Sequence, residues 1–322
     1  MNKPTAVLIL SYALFALATP LAKWLSLNGL NLGTDGHRLI SFCNVLFIGN
    51  LCAALLILLY RQPQKLIQDY LQMGTKAHCL MLLCGSLSAI VPSLLFIALE
   101  HTSVANTVLL SRTGPVLFAI VGTLVFRQKL TKWELIGFGF IICSVLVTAL
   151  FATGSQLGRG EILILSSGIF FAITATVSKL TLPLVPSRVF LFCRNFYAAI
   201  VFLIVAMYLY GPEHFSDAFH PRLWVVMTIY AIVAIIFAQV TWFYALKRAK
   251  ATTIGSWSFL SPALTIFFGF ALLHEKPSGM QLIALTLMMI GILTSNYKTL
   301  TSFAQRWLSQ SPESSIGSKY DG

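Results

Sequence analysis

The chain has 322 residues, of which 57% are hydrophobic and only 10% charged. Soluble domains carry roughly 25% charged residues, so this composition excludes a soluble enzyme, a disordered chain and a coiled coil, and leaves a polytopic membrane protein. The net charge of +12, from 22 Lys+Arg against 10 Asp+Glu, then concerns which side of a membrane the cations occupy rather than a nucleic-acid partner.

A helix crosses the hydrocarbon core with about 20 apolar residues. In chain order the apolar stretches are 5–27, 36–60, 77–99, 102–126, 132–152, 160–180, 187–210, 223–246, 249–273 and 279–298. The first is too long for the apolar core of a signal peptide and lacks a small-residue cleavage site. The longest connections, 61–76 and 211–222, leave no room for a soluble domain. The Ser- and Gly-rich segment 299–322 is expected to be a disordered tail. The expected fold class is an all-α integral membrane protein of ten transmembrane helices.

With the N-terminus in the cytoplasm, 15 of the 22 Lys and Arg fall on inside segments. Four (Arg38, Arg159, Arg222 and Lys276) fall outside, and three (Lys23, Arg112 and Arg194) lie within stretches. This positive-inside pattern puts both termini in the cytoplasm.

The chain also repeats itself. Residues 96–147 align without a gap on 243–294, with 11 identities over 52 positions. Ser111, Pro115, Gly122 and Lys129 fall on Ser258, Pro262, Gly269 and Lys276. Earlier stretches match with small shifts, Ser11, Phe15 and Lys23 on Ser167, Phe171 and Lys179, and Arg38, Cys43 and Tyr60 on Arg188, Cys193 and Tyr210. Five stretches precede five, and five is odd, so the second half is expected upside down relative to the first. The charges agree. Glu100-His101 ends the third stretch where Lys247-Arg248 ends its partner. Inverted repeats of this kind are a signature of secondary transporters with a site near the midplane. The expected units are 1–155, 156–298 and the tail.

The segment SFLSPALTIFFGFALLHEKPSGMQLIALTLMMIGIL (258–293) resembles the second half of an EamA-type member of the drug/metabolite transporter superfamily. It carries Pro262, Gly269, Glu275 and Gly291 in that family's order. The first half has Pro115 and Gly122, but Gln128 and Ser144 replace the Glu and the last Gly. VFLFCRNFYAAIVFLI (189–204) resembles the family's second helix of each repeat, with Arg194 as its Arg and Asn44 at that place in the first half. The resemblance implies two inverted five-helix repeats around a central cavity. It also implies movement of small metabolites, often amino acids outward.

Charges within a span are costly and therefore functional candidates. No acid lies deep in any stretch; Glu100, Glu134, Glu161 and Glu275 are at ends. Arg112 is about 15 Å into its stretch at 1.5 Å per residue, and its repeat-mate is Phe259. The scaffold does without it, so it is the leading anchor for a carboxylate or phosphate; capping carbonyls or bridging helices is the alternative. Arg194, near the inner side, either contacts cargo or orients helices. Lys23 and Lys179 occupy equivalent places and read as scaffold. Further candidates for binding are Asn44, Asn106, Gln239 and Trp257, the last too deep for an interfacial belt. Trp242 and Tyr244 are expected at the interface. Pro115 and Pro262 are expected to kink equivalent helices as hinge or gate. Gly137, Gly139 and Gly291 are expected to allow close helix contact.

No catalytic motif is present, and the histidines lie at span ends without ligand spacing. No enzyme activity, cofactor or metal is expected, and the six cysteines read as small hydrophobes. The expected partners are a small-molecule substrate and the bilayer, not nucleic acid, for a monomer or weak homodimer in the inner membrane. The alternative to a metabolite exporter is a carrier of nucleotide-sugar, sugar-phosphate or lipid-linked cargo, or a non-transporting accessory subunit.

Overall fold

The computed structural model describes residues 3–27, 42–60, 62–99, 101–102, 107, 109–152, 158–211, 220–257, 260–273, 279–298 and 301. They form α1 (Lys3–Leu27), α2 (Phe42–Leu59), α3 (Pro63–Leu71), α4 (Thr75–Leu99), α5 (Thr113–Val125) and α6 (Lys132–Ala152). After these come α7 (Arg159–Thr181), α8 (Ser187–Tyr210), α9 (Pro221–Arg248), α10 (Ala251–Trp257), α11 (Leu260–Leu273) and α12 (Gly279–Ser295). No strand occurs among the described residues.

Local chemistry sets several boundaries. Thr131 and Glu134 form a capping box before α6: Glu134 Oε2 accepts from Thr131 N at 2.8 Å, and Thr131 Oγ1 accepts from Glu134 N at 3.3 Å. α9 starts with Pro221 in its first turn, and His220 Nδ1 accepts from Arg222 N at 3.3 Å. Gly211, with φ at 80°, ends α8.

By length and hydropathy, four described helices can cross a membrane unbroken: Thr75–Leu95, Arg159–Thr181, Ser187–Tyr208 and Pro221–Arg248. Helices α2 and α3 meet the same test only as a pair bent by 100°, and shorter apolar helices run over Pro4–Ala18, Thr113–Val125, Leu260–Leu272 and Leu282–Ser295. Ten uninterrupted spans are therefore not found among the described residues. Stretch 102–126 is broken at 111–112, stretch 249–273 is described as Ala251–Trp257 and Leu260–Leu273, and the connection 61–76 holds α3. α9 carries a further irregularity that periodicity does not reveal, a π-helical turn at Ala231–Ile236. That turn lies over Gly49 of α2, whose missing side chain leaves room for Ile235 and Tyr230.

The packing pairs the two halves with each other. α1 lies against α9 and α11, while its mate α7 lies against α4 and α5, the mates of those two. Likewise α2 contacts α9 as α8 contacts α4. The remaining large contacts join mate to mate, α2 to α8 and α6 to α12. The largest buried apolar cluster draws on α1, α2, α3, α4, α5, α7, α8, α9 and α10. Leu66, Ala77, Leu182, Val185, Leu246 and Ala251 belong to it, so it fills the end of the bundle where α3 lies.

The α6–α12 contact rests on absent side chains. A Cβ on Gly137 would lie 2.5 Å from Ser295 Cβ and 2.6 Å from the Gly291 carbonyl oxygen. One on Gly291 would lie 2.8 Å from the Gly137 carbonyl oxygen. The mates of these glycines repeat the crossing in another form: Ser144 Oγ donates to the Ala284 carbonyl at 2.7 Å. The serine that replaces the expected glycine thus bonds the neighbouring backbone. Gly139, expected to share in the contact, instead faces open space. Gly137→Leu should therefore lower the apparent melting temperature in detergent, with an overpacking cost of about 1–3 kcal/mol. Gly139→Leu should change it little. A fluorescence melt of both variants checks this, and equal losses would refute the assigned crossing.

Candidate functional site

The break in the fourth stretch is built from short-range bonds. Arg112 N donates to the Leu109 carbonyl at 3.3 Å, and Gly114 N to the Ser111 carbonyl at 3.2 Å. The helix then restarts as α5 at Thr113. In the second half α11 starts at Leu260, the repeat-mate of Thr113. Pro115 is the third residue of the restarted helix. A first-turn N–H has no intrahelical acceptor, so proline loses nothing there. The kink expected at Pro115 is thus a helix restart, while 258–259, just before Pro262, lie outside the described residues. Gly114 and Gly168 bring the restart close to α7: a Cβ on Gly114 would lie 3.0 Å from Phe171 Cβ, and one on Gly168 3.1 Å from Gly114 N.

Arg112 occupies this turn, half-buried, and interacts electrostatically with Tyr12 of α1. Tyr12 is buried and donates its hydroxyl to the Ile254 carbonyl of α10 at 2.7 Å. The break of one half is thereby joined through α1 to the short helix of the other. Beside Tyr12 stands Trp242, with ring centroids of Tyr12, Phe15 and Phe171 at 5.7, 6.2 and 6.3 Å. Trp242 is only 8% exposed, so it is a core aromatic rather than the interfacial one expected. Its neighbours draw it inward: Tyr12 and Phe15 meet it edge-on and Phe171 at a tilt, each such pair worth about 0.5–1.5 kcal/mol beyond area burial. Trp257, at the end of α10, is buried, and its Nε1 has no hydrogen-bond partner among the described residues. Ser11 Oγ is buried in the same condition. Asn106 lies outside the described residues, and so does the Lys23 side chain.

A second polar group sits between α8 and α9. The Arg194 guanidinium lies 5.3 Å over the Phe243 ring, and its Nε has no hydrogen-bond partner among the described residues. Phe190 packs edge-on to Phe243 at 4.8 Å. Next to Arg194, the buried Asn195 and Gln239 amides pair reciprocally at 2.7 and 3.0 Å. Gln239 thus spends one donor and its acceptor on a helix-bridging pair. Asn195 was not among the candidates. Its signal was present, since its repeat-mate is Val45 and a deep amide in a span needs a partner. Asn44, the mate of Arg194, is fully buried on α2, the helix that packs against α8.

Lys179 does what its scaffold reading did not specify. From α7 its ammonium donates to the carbonyls of Leu246 at 2.5 Å and Ala249 at 2.7 Å, at the end of α9. Two residues later Gln128 Oε1 accepts from Ala251 N, the first N–H of α10, at 2.8 Å. The elbow between α9 and α10 is therefore bonded on both sides, by α7 and by the turn between α5 and α6. Nearby, the Arg188 guanidinium donates to the carbonyls of Ile57, Leu58 and Tyr60 and closes the end of α2. At the other end of α7, Glu161 is 2% exposed and accepts from Thr102 Oγ1 at 2.5 Å. It is the buried acid that a position at a span end concealed.

Among the described residues no three His, Cys, Asp or Glu side chains group as metal ligands. Cys52, Cys84 and Cys193 are buried as small hydrophobes, whereas Cys79 and Cys143 are exposed on outer helix faces.

A sequence profile of the EamA-like transporter family matches twice, at residues 3–150 and 158–297. An uncharacterized transporter of Synechocystis sp. is 32% identical over 304 residues, covering 91% of this chain and 87% of that protein. An uncharacterized transporter of Archaeoglobus fulgidus is 26% identical over 206 residues, covering 63% of this chain and 70% of that one. A solved structure described as "Crystal structure of protein" shares the fold with a TM-score of 0.62 at 18% identity, covering 91% of this chain and 95% of that one. The all-helical apolar fold, the double profile match and the full-length relative agree: the chain belongs to the EamA-like transporters of the drug/metabolite transporter superfamily.

Proposed function

We propose that the protein exports small polar metabolites bearing a carboxylate, amino acid-like solutes included, across the inner membrane by alternating access. The two halves, 1–155 and 156–298, are inverted five-helix repeats with both termini in the cytoplasm. The observation that carries this reading is the position of Arg112. It stands in the break of a span, beside Tyr12, at the N-terminal end of α5. A guanidinium offers fork-like donors, and a helix N-terminus favours an anion. The buried, unpartnered donors Trp257 Nε1 and Arg194 Nε add to a surface that asks for acceptors. The exchange of contacts between mates supports a pseudo-twofold arrangement in which one bundle rocks against the other.

The elbow of α9 and α10 is the gate of this mechanism at the end where α3 lies. Lys179 and Gln128 hold it, and the large apolar cluster seals it. Facilitated diffusion or exchange is the coupling this reading favours. A second reading, a sugar-phosphate carrier, draws on Arg194 as a second buried guanidinium. Competition between carboxylates and phosphates for uptake separates the two.

Two measurements test the mechanism. In proteoliposome counterflow, Arg112→Ala should raise the half-saturation concentration of the cargo about 10- to 100-fold. That matches the roughly 1.5–3 kcal/mol of a hydrogen bond to a charged group. Arg112→Lys should recover part of it; unchanged affinity in Arg112→Ala would remove Arg112 as the anchor. Lys179→Met should loosen the elbow. Cys84 is sealed at 0% exposure in the same cluster, so its alkylation by a maleimide should quicken several-fold by mass spectrometry. An unchanged rate would show that the elbow is not the gate.

A further inference from the structure

α3 is a helix that neither the scaffold of spans nor the proposed site uses. It is turned 100° from α2, so if α2 crosses the bilayer α3 lies along its surface. The chain enters it through Gln62 in the left-handed conformation, with φ at 42°. At 100° per residue, its sequence PQKLIQDYL divides into two arcs. Gln64, Lys65, Gln68 and Asp69 form one arc, the first three exposed and Asp69 half-buried. Leu66, Tyr70, Ile67 and Leu71 form the other.

The apolar arc has two edges with different surroundings. Leu66 is 2% exposed in the main cluster, and Tyr70 shares a hydroxyl–hydroxyl bond of 2.9 Å with Tyr197 of α8. Tyr70 also meets the His78 ring edge-on at 4.7 Å. These contacts fix the helix about its own axis. The outer edge, Ile67 and Leu71, is thereby held away from the protein at 49% and 70% exposure. The end of α2, just before α3 in the chain, is also exposed and apolar, with Leu59 at 69% and Tyr60 at 64%. Two such stripes next to the lipid-facing end of a span are what an interfacial helix presents to a leaflet.

We propose that α3 is an interfacial helix whose docking partner is the phospholipid leaflet at the end of α2. Ile67 and Leu71 lie at the headgroup–acyl boundary, the polar arc faces water, and the Tyr70–Tyr197 bond ties the helix to α8. The proposal rests on the membrane embedding of the chain. The test places the photoreactive residue p-benzoylphenylalanine at Leu71, at Gln68 or at Ile204, an exposed position on α8 (61%). The full-length protein is irradiated in native membranes, and the adducts are weighed by mass spectrometry. The expected result is phospholipid adducts at Leu71 and Ile204 and none at Gln68. Lipid adducts at Ile204 but not at Leu71, or equal yields at Leu71 and Gln68, would overturn the proposal. So would a protein adduct at Leu71, which would make the face a protein-docking surface. No lipid adduct at Ile204 would sink the membrane embedding itself.

Discussion

Hydrocarbon supplies no hydrogen bonds, so every peptide group that a helix releases within a span must be answered by the protein. The elbow of α9 and α10 lies at a span end rather than deep within one, yet there too the released groups are answered by side chains, from two sides. Lys179 answers two carbonyls at the end of α9, where a cation also suits the helix dipole. Gln128 answers the first N–H of α10. Tyr12 then donates to a carbonyl within α10 itself. These three side chains come from α7, from the turn between α5 and α6, and from α1. The start of α10 is thus fixed by three distant segments. In the proposed mechanism the elbow moves by exchanging these bonds for others.

The same constraint explains what Pro115 does. A proline in mid-helix leaves a carbonyl unanswered and strains the turn before it. In the first turn it does neither. Pro115 stands three residues into α5, so the chain stops and restarts there rather than bending. The break exposes polar backbone in the first half, and Arg112 occupies that place. Its mate in the sequence is Phe259.

The family was legible through the resemblance of 258–293 and 189–204 to its helices. Composition and repetition made the all-helical class and the two-repeat organisation legible, because they depend on sums and spacings. The small residues of the α6–α12 crossing were legible for the same reason, although periodicity could not tell which face Gly139 takes. Other features were hidden because they depend on side chains meeting across long separations. Asn195 finds Gln239 across 44 positions and Lys179 finds Leu246 across 67. Trp242 resembled an interfacial residue by its distance from a span end, and only the convergence of three other rings shows it to be core. The π turn in α9 leaves no trace in hydropathy, because inserting one residue into a turn changes geometry but not composition. α3 was concealed by its length, as nine residues with four polar side chains read as a loop.

A duplicated scaffold poses a difficulty for a binding site. Identical halves would offer an asymmetric solute two equivalent anchors, and the solute could satisfy only one of them. Some positions alike in both halves pack or bond helices: Gly122, the mate of Gly269, leaves room for Ala251, and Lys179, the mate of Lys23, bonds the end of α9. At the crossing of α6 and α12 the mates differ in detail but remain small, Gly137 with Ala284 and Ser144 with Gly291. Three polar positions behave otherwise. Arg112 faces Phe259 in the alignment, Arg194 faces Asn44, and Asn195 faces Val45. In the proposed function, the cost of placing a guanidinium in a span, several kcal/mol when buried, is offset by the cargo. The departures from symmetry, more than any motif, therefore point to where the proposed cargo is held.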